Sequence, residues 1–300
     1  MIDFNKRKKK SVAEVVFIVA MLALPILHFC IFYIYINFDS FFLAFQRPIV
    51  PGSDKYYFTL ANFEFVLKEF TGGGVQMWMA LRNTLLYFTV AELMFPLALI
   101  MTYFIYKKVW GYKVFRVLFY LPTIITASAT ASMFKIIISG TGPLSMLYDA
   151  IGKPMPFFLK DSKYAIWTLI FYTNFFGIGG NLVMLGGTMS KVDVNVLEAG
   201  KIDGVTQWQE LWKLIIPMIW PTIATILTLS FTGIFTAGGP ILLFTKGEYN
   251  TMSISYWIFN QVQFNGEINT SAAVGLVFSV LSVPIVFGLR SFLDKRFKEV

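Results

Sequence analysis

The sequence predicts an all-α integral membrane protein with six transmembrane helices. Of its 300 residues, 56% are hydrophobic and only 14% are charged, whereas a soluble domain carries roughly 25% charged residues. Six runs are long and apolar enough to cross a bilayer, which needs about 20 such residues. None of them alternates with the period of two that marks a barrel strand. The composition therefore excludes a soluble enzyme, a disordered protein and a nucleic-acid binder.

The six predicted spans are residues 15–36, 81–106, 114–138, 164–185, 214–235 and 271–289. The first run follows the basic residues 6–10, as in a signal peptide, but its apolar stretch is too long for one and no small-residue cleavage site follows it. We therefore predict that it is retained. The predicted organisation is a basic N-terminus (1–14), a six-helix membrane domain (15–293) and a C-terminal tail (294–300).

The distribution of Lys and Arg predicts the orientation in the membrane. An even number of spans puts both termini on one side, and that side holds 16 Lys and Arg against 8 on the other, while each side holds 8 acidic residues. Positive charge concentrates in cytoplasmic loops. The sequence therefore predicts a multi-pass protein of the bacterial cell membrane with both termini in the cytoplasm.

Residues for catalysis are scarce. The chain has one cysteine, Cys30, and one histidine, His28, so it offers no disulfide, no cysteine metal site and little acid–base chemistry near neutral pH. The phosphate-binding pattern G-x-x-x-x-G-K-[ST] is also missing. We expect no catalytic residue, no metal site, no cofactor and no enzymatic activity in this chain.

The cytoplasmic segment 186–213 is predicted to form a helix–turn–helix that docks on a protein. Gly204 ends the first helix, since glycine tolerates a left-handed cap, and Thr206 is an N-cap with Glu210 in reach. Pro217 and Pro221 are then expected to open the next span. The apolar positions are Val194, Leu197, Ala199 and Ile202 in the first helix and Trp208, Leu211 and Trp212 in the second. The alternative is a plain surface linker.

The same segment carries a family motif. Glu198-Ala199-Gly200 is followed after three residues by Gly204, and after nine more by Leu214-x-Ile216-Pro217. This resembles the EAA loop of bacterial ABC-importer permeases, whose pattern is Glu-Ala-Ala, three residues, Gly, nine residues, Ile, one residue, Leu-Pro. Asp203 before Gly204 matches as well. Gly200 in place of Ala, and Leu214 and Ile216 in place of Ile and Leu, are the departures.

Further motifs extend the resemblance over most of the chain and resemble the carbohydrate branch, the MalF-like permeases. They are Asn62-Phe63, Arg82-Asn83-Thr84-Leu85, Phe115-Arg116, Phe119-Tyr120-Leu121-Pro122 and Gly238-Gly239-Pro240.

The resemblance implies a type I ABC importer permease fold that carries a sugar or oligosaccharide. The loop of such permeases inserts into a cleft of an ATP-hydrolysing subunit. The implied partners are a second homologous permease, cytoplasmic ATP-binding subunits that hold ATP and Mg, an extracellular solute-binding protein, and membrane lipid. The residues predicted to couple to the ATPase are Glu198, Ala199, Gly200, Asp203, Gly204, Trp208, Leu211 and Pro217.

Polar and small residues in the fourth and fifth spans are candidates for the substrate pathway, because polar groups within a bundle mark pathways or interhelical bonds. The candidates are Thr173, Asn174, Gly177, Gly180, Asn181, Ser230 and Phe231. Alignment to the family implies sugar contacts at Thr173, Gly177 and Gly180. Helix packing through the small residues is the alternative. Glu92, an acid inside the second span, is interpreted as a hydrogen-bonded structural residue in preference to a proton relay.

Three other functions remain as alternatives. An importer of another solute such as glycerol phosphate needs Lys or Arg in the pathway, and the fourth and fifth spans have none. A secondary transporter working alone does not need the docking segment. A membrane-embedded enzyme needs clustered His, Asp, Glu or Cys at the ends of spans, which the sequence does not offer.

Overall fold

The computed structural model describes residues 11–49, 55–72 and 74–296. The basic residues 6–10 and residues 297–300 of the predicted tail lie outside the described residues. The helices are α1 (Val12–His28), α2 (Ile36–Ala44), α3 (Ala61–Thr71), α4 (Val75–Tyr106), α5 (Tyr112–Ile124), α6 (Ala127–Ile137), α7 (Pro143–Ala150), α8 (Ala165–Met189), α9 (Val194–Ile202), α10 (Gln207–Gln209), α11 (Ile216–Thr232), α12 (Ile241–Phe244), α13 (Ile254–Asn265) and α14 (Ile268–Arg296). The strands are β1 (Gln46–Pro48) and β2 (Tyr56–Phe58), and π-helical turns at Phe29–Tyr35 and Glu210–Ile215 join α1 to α2 and α10 to α11.

Five helical stretches within the described ranges are long and apolar enough to cross a membrane, which confirms five of the six predicted spans. They are Val12–Ala44, Val75–Tyr106, Ala165–Met189, Gln207–Thr232 and Ile268–Lys295. The stretches are longer than the predicted runs because the helices continue into residues too polar to count as apolar, as at Gln207.

The prediction of a continuous third span is wrong. Residues 114–138 form two helices, α5 and α6, that are bent by 115° at a short break. Pro122 removes a backbone donor from the last turn of α5, and Ile125 and Thr126 take extended ψ angles of 144° and 143°. The β-branched residues that follow the proline favour this conformation. The described helices therefore cross the membrane six times only if α5 and α6 together form a single span.

The chain divides into two compact units. The first consists of the described residues within 1–66 together with 267–276, and its long helix Val12–Ala44 has no buried residue in its most apolar window. Asn62 is fully buried here: it donates to the carbonyl oxygens of Ala44 and Gln46 at 2.9 and 3.0 Å and accepts from Arg47 Nε at 2.6 Å. These bonds hold the hairpin of β1 and β2. The all-helical prediction missed this hairpin because a three-residue strand is too short to show an alternation of apolar and polar residues.

The second unit consists of the described residues within 67–266 and 277–300. It is built on the packing of α8 against α4 and α5. Gly179 allows the close approach to α5, because a Cβ there would overlap the Phe119 carbonyl oxygen and lie 2.5 Å from Thr123 Cγ2. Small residues serve the same purpose in many membrane helix pairs. The buried side chains at one end of these helices form a cluster with the coupling segment, described below.

Two polar residues near the start of α4 hold a loop of the second unit. Asn83 Nδ2 donates to the carbonyl oxygens of Asn250 and Met252 at 2.7 and 2.8 Å, and Thr84 Oγ1 accepts from the backbone N–H of Ile254 at 2.9 Å. Both side chains are fully buried. The Arg82-Asn83-Thr84-Leu85 motif thus has a structural use in this chain, since it satisfies backbone groups that a loop would otherwise leave unpaired.

Candidate functional site

The coupling segment (residues 186–213) contains the helix–turn–helix that the sequence predicts. α8 continues to Met189, four residues past the predicted end of the span. The Asp193 side chain caps α9 by accepting from the Asn195 backbone N–H at 2.9 Å. Leu197 and Gly200 of α9 are buried. The first helix is therefore anchored at its start and along one side.

Gly204 makes the turn between the two helices. Its φ is +76°, and the hydrogen bonds from Gly204 N to Lys201 O (3.1 Å) and from Val205 N to Gly200 O (2.9 Å) form a Schellman motif. No atom lies within 4 Å of a Cβ placed at Gly204. The turn therefore needs glycine for its backbone conformation and not for lack of space.

The second helix begins at the predicted N-cap, but with a different partner. Thr206 Oγ1 accepts from Gln209 N at 3.3 Å, and Gln209 Oε1 accepts from Thr206 N at 3.0 Å. The prediction that Glu210 stands in reach of this cap is wrong, because the third helical position is Gln209. The Glu210 side chain turns inward to another partner.

Pro217 and Pro221 do not open a separate helix. The second coupling helix runs without a break through the π-helical turn Glu210–Ile215 into α11, so that Gln207–Thr232 is one helical stretch. Pro217 lacks the N–H that would bond to the carbonyl four residues earlier, and the turn before it is the wider π form. The second coupling helix and the fifth span are therefore a single continuous helical stretch.

Two polar contacts and an apolar cluster fix the coupling segment to the end of α4. Lys107 Nζ contacts both carboxylate oxygens of Glu210 at 2.8 and 2.9 Å, and Tyr103 Oη donates to the Gln207 carbonyl oxygen at 2.9 Å. Below them the cluster includes Phe95, Leu99, Leu185, Met189, Leu197, Leu211, Ile215 and Ile219. The sequence reasoning missed Lys107, although it put this residue and Glu210 on the same side of the membrane.

The predicted coupling residues separate into exposed and buried groups. The exposed ones are Glu198, Ala199, Asp203, Gly204 and Trp208. Leu211 is fully buried, Gly200 is buried with Leu214 Cδ1 only 2.7 Å from where a Cβ would stand, and Pro217 is half-buried. Leu211 thus belongs to the core of this chain. Trp212 is exposed next to Trp208, and Ile202 is an exposed apolar side chain at the end of α9. We call Glu198, Ile202, Trp208 and Trp212 the coupling face.

The predicted pathway residues of α8 do not all share one surface. Thr173 Oγ1 and Asn174 Nδ2 donate to the carbonyl oxygens of Leu169 and Ile170, both at 2.9 Å, within their own helix. A Cβ at Gly177 or Gly180 would meet no atom within 4 Å. Packing therefore does not require glycine at these two positions, in contrast to Gly179.

Asn181 and Ser230 are brought together by a cavity of about 240 Å³ between α4, α8 and α11. Its lining consists of Ala91, Glu92, Phe95, Asn181, Met184, Ile226, Leu227, Leu229 and Ser230. Ser230 Oγ donates a hydrogen bond to Glu92 Oε1, so Glu92 is hydrogen-bonded as interpreted from the sequence. The other candidates, Thr173, Asn174, Gly177, Gly180 and Phe231, do not line this cavity.

Phe231 has a packing role, because its ring meets that of Phe88 edge-on with centroids 4.8 Å apart. A larger cavity of about 710 Å³ lies between the end of α6 and segments 155–160 and 243–249. None of the predicted pathway residues lines it. The small cavity at Glu92, in contrast, brings together polar side chains from three spans.

Comparison with known proteins gives a family match. The family model described as "Binding-protein-dependent transport system inner membrane component" matches residues 94–299. The chain is 27% identical over 231 residues to the lactose transport system permease protein LacF of Rhizobium radiobacter, covering 74% of this chain and 77% of that protein. It is 25% identical over 248 residues to the trehalose transport system permease protein SugA of Mycobacterium tuberculosis, covering 81% and 78%.

Solved structures show the same fold. A chain of a bacterial ABC transporter involved in the import of the acidic polysaccharide alginate superposes with a TM-score of 0.81 at 22% identity, covering 96% of this chain and 98% of that one. A chain of a bacterial alginate ABC transporter in complex with an alginate pentasaccharide-bound periplasmic protein superposes with a TM-score of 0.81 at 21% identity, covering 95% of this chain and 96% of that one. The likeness confirms the predicted importer-permease fold.

Proposed function

Because this chain belongs to the family of binding-protein-dependent transport system inner membrane components, we propose that it imports a sugar or oligosaccharide and couples to its ATPase through the coupling face. Membership follows from the match over residues 94–299. The chain is thus a multi-pass permease subunit of an ABC importer that works with a solute-binding protein, and ATP is hydrolysed by a separate subunit.

A carbohydrate substrate is supported by two observations. The similar curated permeases include lactose and trehalose systems. The cavity at α4, α8 and α11 offers amide, hydroxyl and carboxylate groups beside Phe95 and is lined by no Lys or Arg. Hydroxyl-rich neutral molecules find hydrogen-bond partners there, whereas the phosphate of glycerol phosphate requires a cation or several N–H donors.

The coupling face supports docking of a cytoplasmic ATP-binding subunit. Trp208 and Trp212 are 53% and 48% exposed with ring centroids 6.1 Å apart, and Ile202 is 87% exposed. Glu198 lies on the same exposed helix–turn–helix, where a carboxylate can pair with a basic residue of the partner. The proposal rests on this exposed face. The other side of the same segment is held against α4 by Glu210 and Leu211.

The assembly we propose contains this chain, a second homologous permease, two ATP-binding sites and an external binding protein. Both termini and the coupling segment then lie in the cytoplasm, as the excess of Lys and Arg on that side favours. ATP and Mg are held by the ATP-binding subunits and not by this chain.

In the experiment, the chain is reconstituted in proteoliposomes together with its co-purifying subunits. The binding protein is then added with lactose, trehalose or other neutral oligosaccharides, either inside or outside the vesicles. We expect ATP hydrolysis stimulated by binding protein and sugar together. Glu198→Lys should abolish stimulation and release the ATP-binding subunit, whereas Lys153→Glu, a charge reversal in an exposed segment between α7 and α8, should leave the ATP-binding subunit bound. Retention and stimulation unaffected by Glu198→Lys would contradict the proposed docking.

A further inference from the structure

An apolar groove runs between α4 and α5 and is closed at one end by the turn that joins them. Its volume is about 340 Å³, and every side chain that lines it is apolar or aromatic. The lining on α4 consists of Leu97, Ile100, Met101, Phe104 and Ile105. These residues recur at the spacing of one helix face, and they extend over about 12 Å of the helix axis. The groove is therefore a long apolar channel on the side of the helix pair.

Trp110 lies at the closed end of this groove. Its side chain is 94% exposed, although it is one of the lining residues. The turn around it is fixed, because Val109 N donates to Phe104 O at 3.2 Å and Tyr112 N donates to Val109 O at 2.9 Å. Tryptophan is enriched where the hydrocarbon of a bilayer meets the headgroups. Trp110 therefore marks the depth at which the apolar groove reaches the membrane surface.

Positive charge is concentrated at the same end of the groove. Lys108 lies in the turn, Lys113 and Arg116 lie near the start of α5, and all three side chains are exposed. Within the described ranges no ion pair involves any of the three, whereas the neighbouring Lys107 is paired with Glu210. The sequence contains no Asp or Glu from position 93 to position 148. This end of the helix pair therefore has an excess of positive charge.

We propose that the groove and its three cations bind an anionic phospholipid of the cytoplasmic leaflet. An acyl chain lies in the groove, and the phosphate lies at Lys108, Lys113 and Arg116. The leaflet follows from the contact of Lys107 with Glu210, which puts this turn beside the coupling segment. The inference thus uses the proposed cytoplasmic position of that segment, and it does not depend on which solute is imported.

The shape and the charge of the site together favour this occupant. The apolar groove, the tryptophan and the cations follow one another in the order in which a phospholipid presents its acyl chain, its interfacial region and its phosphate. Basic pockets between membrane helices on the cytoplasmic side suit acidic headgroups. A free phosphate has no use for the groove, and an apolar helix of a second permease has no use for the cations.

The test measures phospholipid binding to the complete transporter, purified in detergent and stripped of lipid. The probe is phosphatidylglycerol, which is compared with phosphatidylcholine of the same acyl chains and with inorganic phosphate. Bound lipid is counted by native mass spectrometry, and the apparent affinity is taken from the rise in melting temperature of each variant. Neither sugar nor nucleotide is added, so a negative result leaves the sugar-import proposal to its own experiment.

We expect phosphatidylglycerol to bind more tightly than phosphatidylcholine and inorganic phosphate to leave the melting temperature unchanged. The combined replacement Lys108→Gln, Lys113→Gln and Arg116→Gln should weaken phosphatidylglycerol on the order of tenfold or more, since each basic residue near a membrane surface contributes about fivefold in affinity. A matched control removes the same charge from exposed residues between α7 and α8, by Lys153→Gln, Lys160→Gln and Lys163→Gln. The control should keep the affinity of the unmodified transporter.

A second pair of variants tests the apolar part of the site. Met101→Trp puts a larger side chain into the groove, where it takes the space of an acyl chain, and should weaken phosphatidylglycerol several-fold. Leu93→Trp makes a similar increase in size at an exposed position of α4 that does not line the groove. We expect this variant to bind phosphatidylglycerol as the unmodified transporter does.

Three results would overturn the inference. In the first, phosphatidylcholine binds as tightly as phosphatidylglycerol. In the second, the triple variant and its control lose affinity equally. In the third, the photoreactive amino acid p-benzoylphenylalanine, placed at Phe104 of the complete transporter in proteoliposomes, cross-links to another protein subunit and not to phospholipid, which would show that protein covers the groove.

Discussion

Lys107 Nζ lies 2.8 Å from Glu210 Oε1 and 2.9 Å from Oε2, so the residue that ends the second span is ion-paired to the second coupling helix. The Glu210 side chain is 5% exposed and that of Lys107 is 19% exposed. Because the second coupling helix continues into α11, this pair connects the coupling segment to two spans at once. Both spans contribute to the cavity at Glu92.

Removing Lys107 should therefore uncouple the transporter. Lys107→Met leaves the Glu210 carboxylate buried without its partner, at a cost on the order of 3 kcal/mol. We expect a lower melting temperature of the purified complex and more ATP hydrolysed per sugar imported. The double variant Lys107→Met with Glu210→Met leaves no unpaired charge and should recover most of the stability. If the double variant is no more stable than the single one, the pair does not act as a unit.

The positive φ of Gly204 gives a second prediction. Gly204→Val places a β-branched residue in a left-handed conformation, which costs about 1–2 kcal/mol and favours a different turn. We expect uptake to fall much more than membrane abundance. Gly152→Val is the matched control, since Gly152 also has a positive φ of 66° and open space around it but lies in the segment between α7 and α8. Equal loss of uptake in both variants would point to folding and not to coupling.

Substitutions of Leu211 and Trp208 should have different effects, because the first residue is expected to stabilise the fold and the second to bind the ATP-binding subunit. Leu211→Ala removes a fully buried side chain and should destabilise the protein by roughly 2–5 kcal/mol. Trp208→Ala removes a side chain that is 53% exposed, so we expect nearly normal thermal stability but weaker retention of the ATP-binding subunit. Thermal unfolding and co-purification are measured for each variant. A Trp208→Ala permease that keeps its full complement of ATP-binding subunit would remove Trp208 from the coupling face.

The neighbouring glycines of α8 should respond differently to alanine. Gly179→Ala overlaps the backbone of α5 at Phe119, and such overpacking typically costs 1–3 kcal/mol. We expect reduced abundance and stability. Gly180→Ala meets open space and should assemble normally, so any transport defect it shows reports on the pathway. Comparable stability of the two variants would mean that α5 and α8 leave room for a methyl group at Gly179.

Ser230 and Asn174 should differ in transport. Ser230→Leu removes the hydrogen bond to Glu92 and adds bulk to a cavity of about 240 Å³, so we expect uptake to drop several-fold with assembly intact. Asn174 is bonded to its own helix and lies outside the lining, so Asn174→Leu should have a smaller effect. Initial uptake rates normalised to permease abundance decide this, and the reverse order would place the pathway nearer the start of α8.

Much of the coupling segment followed from the sequence because it is local. The N-cap at Thr206 and the glycine turn at Gly204 depend on bonds between residues a few positions apart, and the structure contains both. The partner of Thr206 was misassigned by one residue, since Glu210 and Gln209 both have side chains long enough for the cap. The bend after Pro122 was missed because the run 114–138 has the length and apolarity of a single span, and these two properties were given more weight than the proline within it.

What the sequence determined by itself was the class of the protein. It determined the apolar runs of membrane length, their number to within the bent pair, and the helix–turn–helix of the coupling segment. These follow from composition and short-range pattern, because lipid requires long apolar helices with internally paired backbones. Only the tertiary structure decided that Leu211 is buried, that Lys107 holds Glu210, and that Glu92, Asn181 and Ser230 share a cavity. Glu92 and Ser230 are 138 positions apart, and such a contact depends on the rotation and depth at which packed helices meet, which no local pattern encodes.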